Sequence, residues 1–256
     1  MPPQRPNTLD RGIRLFEHPL LDWGSRVHPA LPGLFCGPVA VAALAASVRY
    51  DLGPLAIGAW FVAGYAAWMF AEYALHRWFF HFRPRSARLQ RVFYVVHEHH
   101  HRYQERDRLL APPLMSLSIG AIFVGAFFLA VAPWVGYGPM WAFAAGFCVS
   151  YLVYDYTHYF IHFAKPRTRW GRFVRRCHLE HHFSTPDRWF CISFPPLDYL
   201  FGTQRRVGTR SDVARPQHDD RDRDDRHRDD WSRDGLPPLV RRFEDAEHEP
   251  QQERGS

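Results

Sequence analysis

Cysteine is scarce in this 256-residue chain, lysine is scarcer, and charge of either sign is missing altogether from residues 109–154. The four cysteines, Cys36, Cys148, Cys177 and Cys191, form no close pair, which argues against a disulfide framework or a zinc knuckle. Almost every cation is an arginine, and the arginines flank apolar segments instead of interleaving with aromatics. That pattern speaks against a nucleic-acid partner and for orientation in a bilayer. The slightly polar mean hydropathy conceals this, because about half of the last fifty residues are charged.

Four stretches are candidates to cross a membrane. Residues 27–48 carry no Lys, Arg, Asp or Glu, and a second apolar run, 55–71, continues to His76. The uncharged stretch from Leu109 is too long for one span of about 20 residues. It breaks at Pro133-Trp-Val-Gly-Tyr-Gly-Pro139, which predicts a hairpin of helices near 114–132 and 139–160. Loop charge sets the direction. Residues 77–108 hold eight arginines and 165–176 hold five plus Lys165, whereas 133–138 has no charge and 49–54 has one Arg and one Asp. Positive loops stay cytoplasmic, so a multi-pass integral membrane protein with both termini on the cytoplasmic side is expected. The chain then divides into a polar N-terminal segment (1–26), a membrane domain (27–206) and a charged tail (207–256). The tail's mixed-charge, low-complexity run cannot bury enough apolar surface to offset chain entropy, and disorder is expected there.

Histidine is what this sequence has in excess. Ten of its sixteen histidines fall into four clusters: His76-x-x-x-x-His81, His97-x-x-His100-His101, His158-x-x-x-His162 and His178-x-x-His181-His182. Residues three and four apart share a helix face. His158 and His162 should therefore project together, and His97, His100 and His101, like His178, His181 and His182, are expected along one stripe. The five-residue step from His76 to His81 requires the backbone to leave regular helix before Pro84. Every cluster adjoins the arginine-rich ends of the spans, so all four are expected on the cytoplasmic face. His99 is expected at the surface, and His18, His28, His218, His227 and His248 stand outside the pattern.

Ten imidazoles exceed what one ion needs, since structural sites usually use about four ligands. Two ions are expected. Imidazole suits zinc, copper, iron and nickel alike. Hydrolytic zinc is commonly served by three protein ligands, so a set this large favours redox chemistry on dioxygen at a di-iron centre, which zinc could occupy in a purified protein. Glu72, Glu98, Asp155 and Glu180 are the carboxylates placed to orient and charge-balance such ligands. Asp155, an acid at the end of an apolar helix, is the favoured catalytic auxiliary.

These residues resemble the fatty acid hydroxylase superfamily of membrane di-iron enzymes, and within it the fatty acid 2-hydroxylases. The likeness rests on Glu72-Tyr-Ala-Leu-His-Arg-Trp-Phe-Phe-His81, His97-Glu-His-His-His101, Tyr151-Leu-Val-Tyr-Asp-Tyr-Thr-His-Tyr-Phe-Ile-His162 and His178-Leu-Glu-His-His-Phe183. A final block, Ile192-Ser-Phe-Pro-Pro-Leu-Asp-Tyr-Leu-Phe-Gly-Thr203, extends it, and the whole covers roughly 55–203. The resemblance implies an all-α integral membrane fold, with four transmembrane helices under a cytoplasmic helical cap. The cap would carry a dimetal site ligated by the ten clustered histidines. It also implies a reaction: insertion of one oxygen atom from dioxygen next to an acyl carbonyl, with two external electrons. The His-Pro-Gly-Gly signature of the haem-binding domain found in many eukaryotic relatives is missing, so a separate electron-donor protein is expected. Two other readings compete. One keeps the fold and oxidises or desaturates a sterol, carotenoid or alkyl-ether lipid. The other is a non-enzymatic membrane metal-binding protein, which fits less well because a transport path would place polar groups near the bilayer midplane.

Overall fold

Residues 15–204 are described in this computed structural model, and every regular element among them is helical. The tail expected at 207–256 lies outside the described residues. A short helix α1 (Pro19–Gly24) comes first, followed by α2 (Leu31–Val48) and α3 (Pro54–Ala74). Then come α4 (Ala87–Phe93), α5 (His99–Arg102), α6 (Pro113–Val135), α7 (Tyr137–Phe163), α8 (Arg169–Phe183) and α9 (Pro196–Leu200). Helices α2, α3 and α6 each carry proline in the first turn, where the missing N–H is no loss. Helix α3 does not end at Ala74 but runs on as a turn of π-helix, Leu75–Phe80, and a second π turn, Tyr94–Glu98, joins α4 to α5.

The α6–α7 hairpin turns more tightly than the sequence suggests. Instead of a loop at 133–139, a single residue, Gly136 at φ 85°, separates the two helices. Pro133 is absorbed into the last turn of α6, while Pro139 sits in the first turn of α7, where it displaces no backbone hydrogen bond.

Helix α7 is the axis of the bundle, with α2 and α3 packed along it and α6 leaning on it more lightly. The α3–α7 contact is made through glycine. A Cβ on Gly64 would overlap the carbonyl group of Phe143, and one on Gly146 the carbonyl group of Phe61. Small residues let two backbones approach this closely, as is common where helices meet inside membranes. Trp68 then closes the layer, standing edge-on to Phe147 and Tyr151 at centroid distances of 5.2 and 5.1 Å.

Three segments are long and apolar enough to cross a membrane: Leu31–Val48, Pro54–Phe80 and Met115–Val135. Their outer faces are greasy, with Ile122 69%, Leu129 83% and Trp134 86% exposed. Apolar surface of that extent matches hydrocarbon, not water. Helix α8 docks on the C-terminal end of α7, where Val174 meets Ile161 and the Arg175 Nε–H donates to the Ile161 carbonyl at 2.8 Å. The segment before α2 is more than a polar leader. Asp22 accepts from Arg108 Nη2 at 2.9 and 3.0 Å, and Arg26 reaches Asp107 at 2.6 Å, latching residues 15–27 onto 105–111.

Candidate metal centre

The four histidine clusters converge where α3, α5, α7 and α8 end or meet, and they sort into two nests. His76, His81, His97, His101 and His181 form the first, and His100, His158, His162 and His182 the second. Within each nest the candidate ligand atoms lie within 4.8 Å of one another. His178 adjoins the second, its Nε2 2.8 Å from His162 Nε2 and its ring 4.4 Å from that of His182. The nests share a wall, because His101 stacks on His182 at 4.1 Å and His97 lies 4.4 Å from His100.

This partition corrects the expectation of one stripe per triplet. His97 and His101 face the first nest while His100 faces the second; His181 faces the first while His182 faces the second. Neighbours on a helix are about 100° apart, at 3.6 residues per turn, so adjacent histidines straddle the two nests instead of sharing one. The step from His76 to His81 is also explained. In the π turn the His81 N–H donates to the His76 carbonyl at 3.3 Å, an i→i+5 bond that brings residues five apart onto one side, with ring centroids 5.0 Å apart.

Donor chemistry fits metal ions. Buried Nε2 atoms of His76, His100 and His158, Nδ1 of His162 and His178, and both ring nitrogens of His182 have no hydrogen-bond partner. Each such orphan costs roughly 1–3 kcal/mol unless something else satisfies it. Three further pairs of Nε2 atoms face each other: His81 with His181 at 3.1 Å, His97 with His101 at 3.0 Å, and His162 with His178. Two nitrogens bound at right angles to one ion, each about 2.1 Å away, would stand about 3.0 Å apart. Two of the candidate ligands are also held in a defined tautomer. The Nδ1–H of His76 donates to the Phe190 carbonyl at 2.5 Å, and that of His181 to the Arg188 carbonyl at 2.6 Å, which leaves each Nε2 free to bind.

Burial keeps these rings neutral, as ligands must be. It lowers His81 to about 3, with help from His181 and Arg83, and His181 to about 4 against the opposing pull of its carbonyl partner. Burial also holds His97, His100, His101, His178 and His182 well below the ordinary imidazole value, reinforced by neighbouring histidines.

Two of the four acids are held by partners other than the clustered histidines. Asp155 lies beside the second nest, but its carboxylate accepts from the Tyr151 hydroxyl at 3.1 Å and from the backbone of Ala111. Glu72 turns away from His76 to bind the backbone N–H groups of Ile192 and Ser193. Glu98 sits by His81 and Arg83 in a shallow pocket, where burial raises its pKa, and Glu180 is half-buried on α8. His99 is not at the surface. It is 5% exposed, its ring lying between the carbonyls of Tyr94 and Arg108 at 3.3 and 3.0 Å. The carbonyls of Arg188 and Phe190 were not foreseen, since a backbone acceptor has no residue signature. The only hint was the distinctive block ending at Gly202-Thr203.

A cavity of about 630 Å³ opens beside the nests. His97, His100 and His158 form one part of its wall, and Val95, Val96, Leu109, Leu110 and Met115 supply an apolar remainder. Leu15, Phe16, Leu20 and Leu21 cover it from the latched N-terminal segment.

Comparison with known proteins agrees with the helical fold. The chain is 29% identical over 201 residues to a dihydroceramide fatty acyl 2-hydroxylase of Arabidopsis thaliana, covering 78% of this chain and 83% of that protein. It is 34% identical over 149 residues to a fatty acid 2-hydroxylase of Mus musculus, covering 56% of this chain but only 38% of the mouse protein. A solved structure of full-length scs7p, in which only the hydroxylase domain is visible, superposes with a TM-score of 0.68 at 27% identity. That match covers 74% of this chain and 71% of the other. The profile of the fatty acid hydroxylase family matches residues 61–203, every clustered histidine included, and the chain belongs to that family.

Proposed function

We propose that this chain is a membrane-bound di-iron monooxygenase that hydroxylates a lipid acyl chain at the carbon next to its carbonyl. The observation that carries the reading is the pairing of two imidazole nests with one apolar cavity, whose wall includes His97, His100 and His158. Iron ions held by the ten histidines would supply activation of dioxygen, with electrons from a separate donor protein. The chain's own residues do the rest. Phe190 and Arg188 carbonyls hold the tautomers of His76 and His181. The aliphatic wall of the cavity binds an acyl chain and excludes water from the reacting carbon. Asp155, pinned by Tyr151 beside His158, lies at the cavity wall where it can orient the reacting end.

The same reading makes α7 a fourth span, enclosed by the three apolar helices, with the nests at the cytoplasmic face. At that depth the carbon next to a carbonyl meets its headgroup. The test is mass spectrometry of hydrolysed lipids from cells with and without the protein. New 2-hydroxy acyl chains are expected, and they should vanish in His158→Ala and His181→Ala variants that still insert. An unchanged acyl profile beside altered sterols or isoprenoids would reject the proposal.

A further inference from the structure

The strongest unexplained feature lies beneath the first nest. Residues 190–193 form no regular element, yet all four of their backbone N–H groups end on two buried carboxylates. Asp198 accepts from Phe190 N at 2.8 Å and Cys191 N at 3.0 Å, and Glu72 from Ile192 N at 2.5 Å and Ser193 N at 2.9 Å. Glu72 also takes the Ser193 hydroxyl. Asp198 is 0% exposed and Glu72 2%. Burying two acids costs free energy unless their lone pairs are filled, and here backbone and hydroxyl donors fill them.

The segment they hold carries the two carbonyls that orient the first nest. Phe190 is pinned through its N–H by Asp198 while its carbonyl accepts from His76. Arg188, two residues back, accepts from His181. Between them Trp189 is held at φ 57°, a left-handed conformation that a bulky residue adopts only when its surroundings enforce it. The enforcement is visible: Trp189 N donates to the Thr203 carbonyl at 3.1 Å, and the Thr203 hydroxyl donates to Asp198 at 2.7 Å. Tyr73 donates in turn to Thr203, and Arg77 to Tyr73, so the chain of bonds runs back to α3 and the π turn that carry His76 and Arg77.

We propose that Glu72 and Asp198 are positioning residues of the first nest, acting on His76 and His181 through the backbone carbonyls of Phe190 and Arg188. The hydrogen bonds of both acids go to backbone and hydroxyl donors, not to an imidazole. Their influence is one-sided, because the second nest takes no ligand whose tautomer this segment sets. The inference rests on the reading of two ions in two nests, and the experiment separates the two claims.

Full-length chain, purified in detergent and loaded with zinc, is challenged with EDTA while zinc per chain is counted. Wild type should hold two ions, His158→Ala should retain the first-nest ion, and His76→Ala the second-nest ion. Adding Asp198→Asn or Glu72→Gln should speed release about tenfold or more in the His158→Ala background and leave the His76→Ala background within about twofold. Thr203→Val and Ser193→Ala, which keep both acids and remove one bond from each, should give smaller changes of the same selectivity, even where the acid variants do not fold. Equal release from both nests, or unchanged first-nest release in every variant, overturns the proposal. Fewer than two zinc ions in wild type would instead overturn the two-nest reading, and this inference with it.

Discussion

An imidazole held neutral by burial binds metal well at pH 7 and becomes a liability in acid. His81 and His181 have folded-state values of about 3 and about 4, against an ordinary 6.5. Between those limits the unfolded chain takes up protons that the folded chain refuses, so stability is complete above pH 6.5 and is lost as pH falls toward 4. The metal-free protein should therefore show a flat thermal midpoint from pH 7 to 8.5 and a steady decline below 6.5, read by scanning fluorimetry in detergent. A midpoint that stays level down to pH 4.5 would contradict the assignment of these rings as buried and neutral. At this scale the sequence is generous about candidate ligands and silent about their partition. Spacing brought ten histidines to attention, but His100 and His101 sit side by side in the chain and serve different nests. The partners of His76 and His181 are main-chain oxygens, which every residue possesses and none advertises.

Helices meet here through missing side chains. Gly64 and Gly146 let α3 and α7 touch backbone to backbone, and those two helices carry His76 into the first nest and His158 and His162 into the second. Gly64→Val should force the helices apart, destabilise the protein by about 1–3 kcal/mol or more, and lower bound metal below two ions per chain. Gly58→Val, at a position of the same helix with open space around it, should change neither midpoint nor metal content. Equal behaviour of the two variants would refute the close contact. Apolar length made the long helices legible to within about four residues at each end. The π turns were only half legible: the five-residue step announced that the backbone leaves regular helix after His76, but not that an i→i+5 turn would align the two rings. Gly136 reversing the chain alone was hidden by the prolines on either side, which look like loop residues and are accommodated in helix.

For the molecule as a whole, arginine-rich connections predict which way the bundle faces. Reporter fusions inserted in the 49–54 turn and at the C-terminus should report opposite sides of the membrane; a common side would reject the four-span arrangement. Charge distribution carries that expectation because it is a sum over many residues. The latch between Asp22 and Arg108 had no such signal, being one pair separated by 86 positions. It turns a segment that reads as a polar leader into a wall of the cavity.

Another part of the wall has a different character. Only 6% of the apolar stretch of α6 is buried within the protein, yet Met115 and Ser118 from that helix line the cavity. A wall held so lightly by protein is held mostly by its solvent. The width of the cavity on that side is then a shared property of the chain and the lipid around it, set by lateral pressure and hydrocarbon thickness as much as by packing. A detergent micelle imposes neither, so acyl-length preference measured in micelles belongs to a different container from the one the membrane builds.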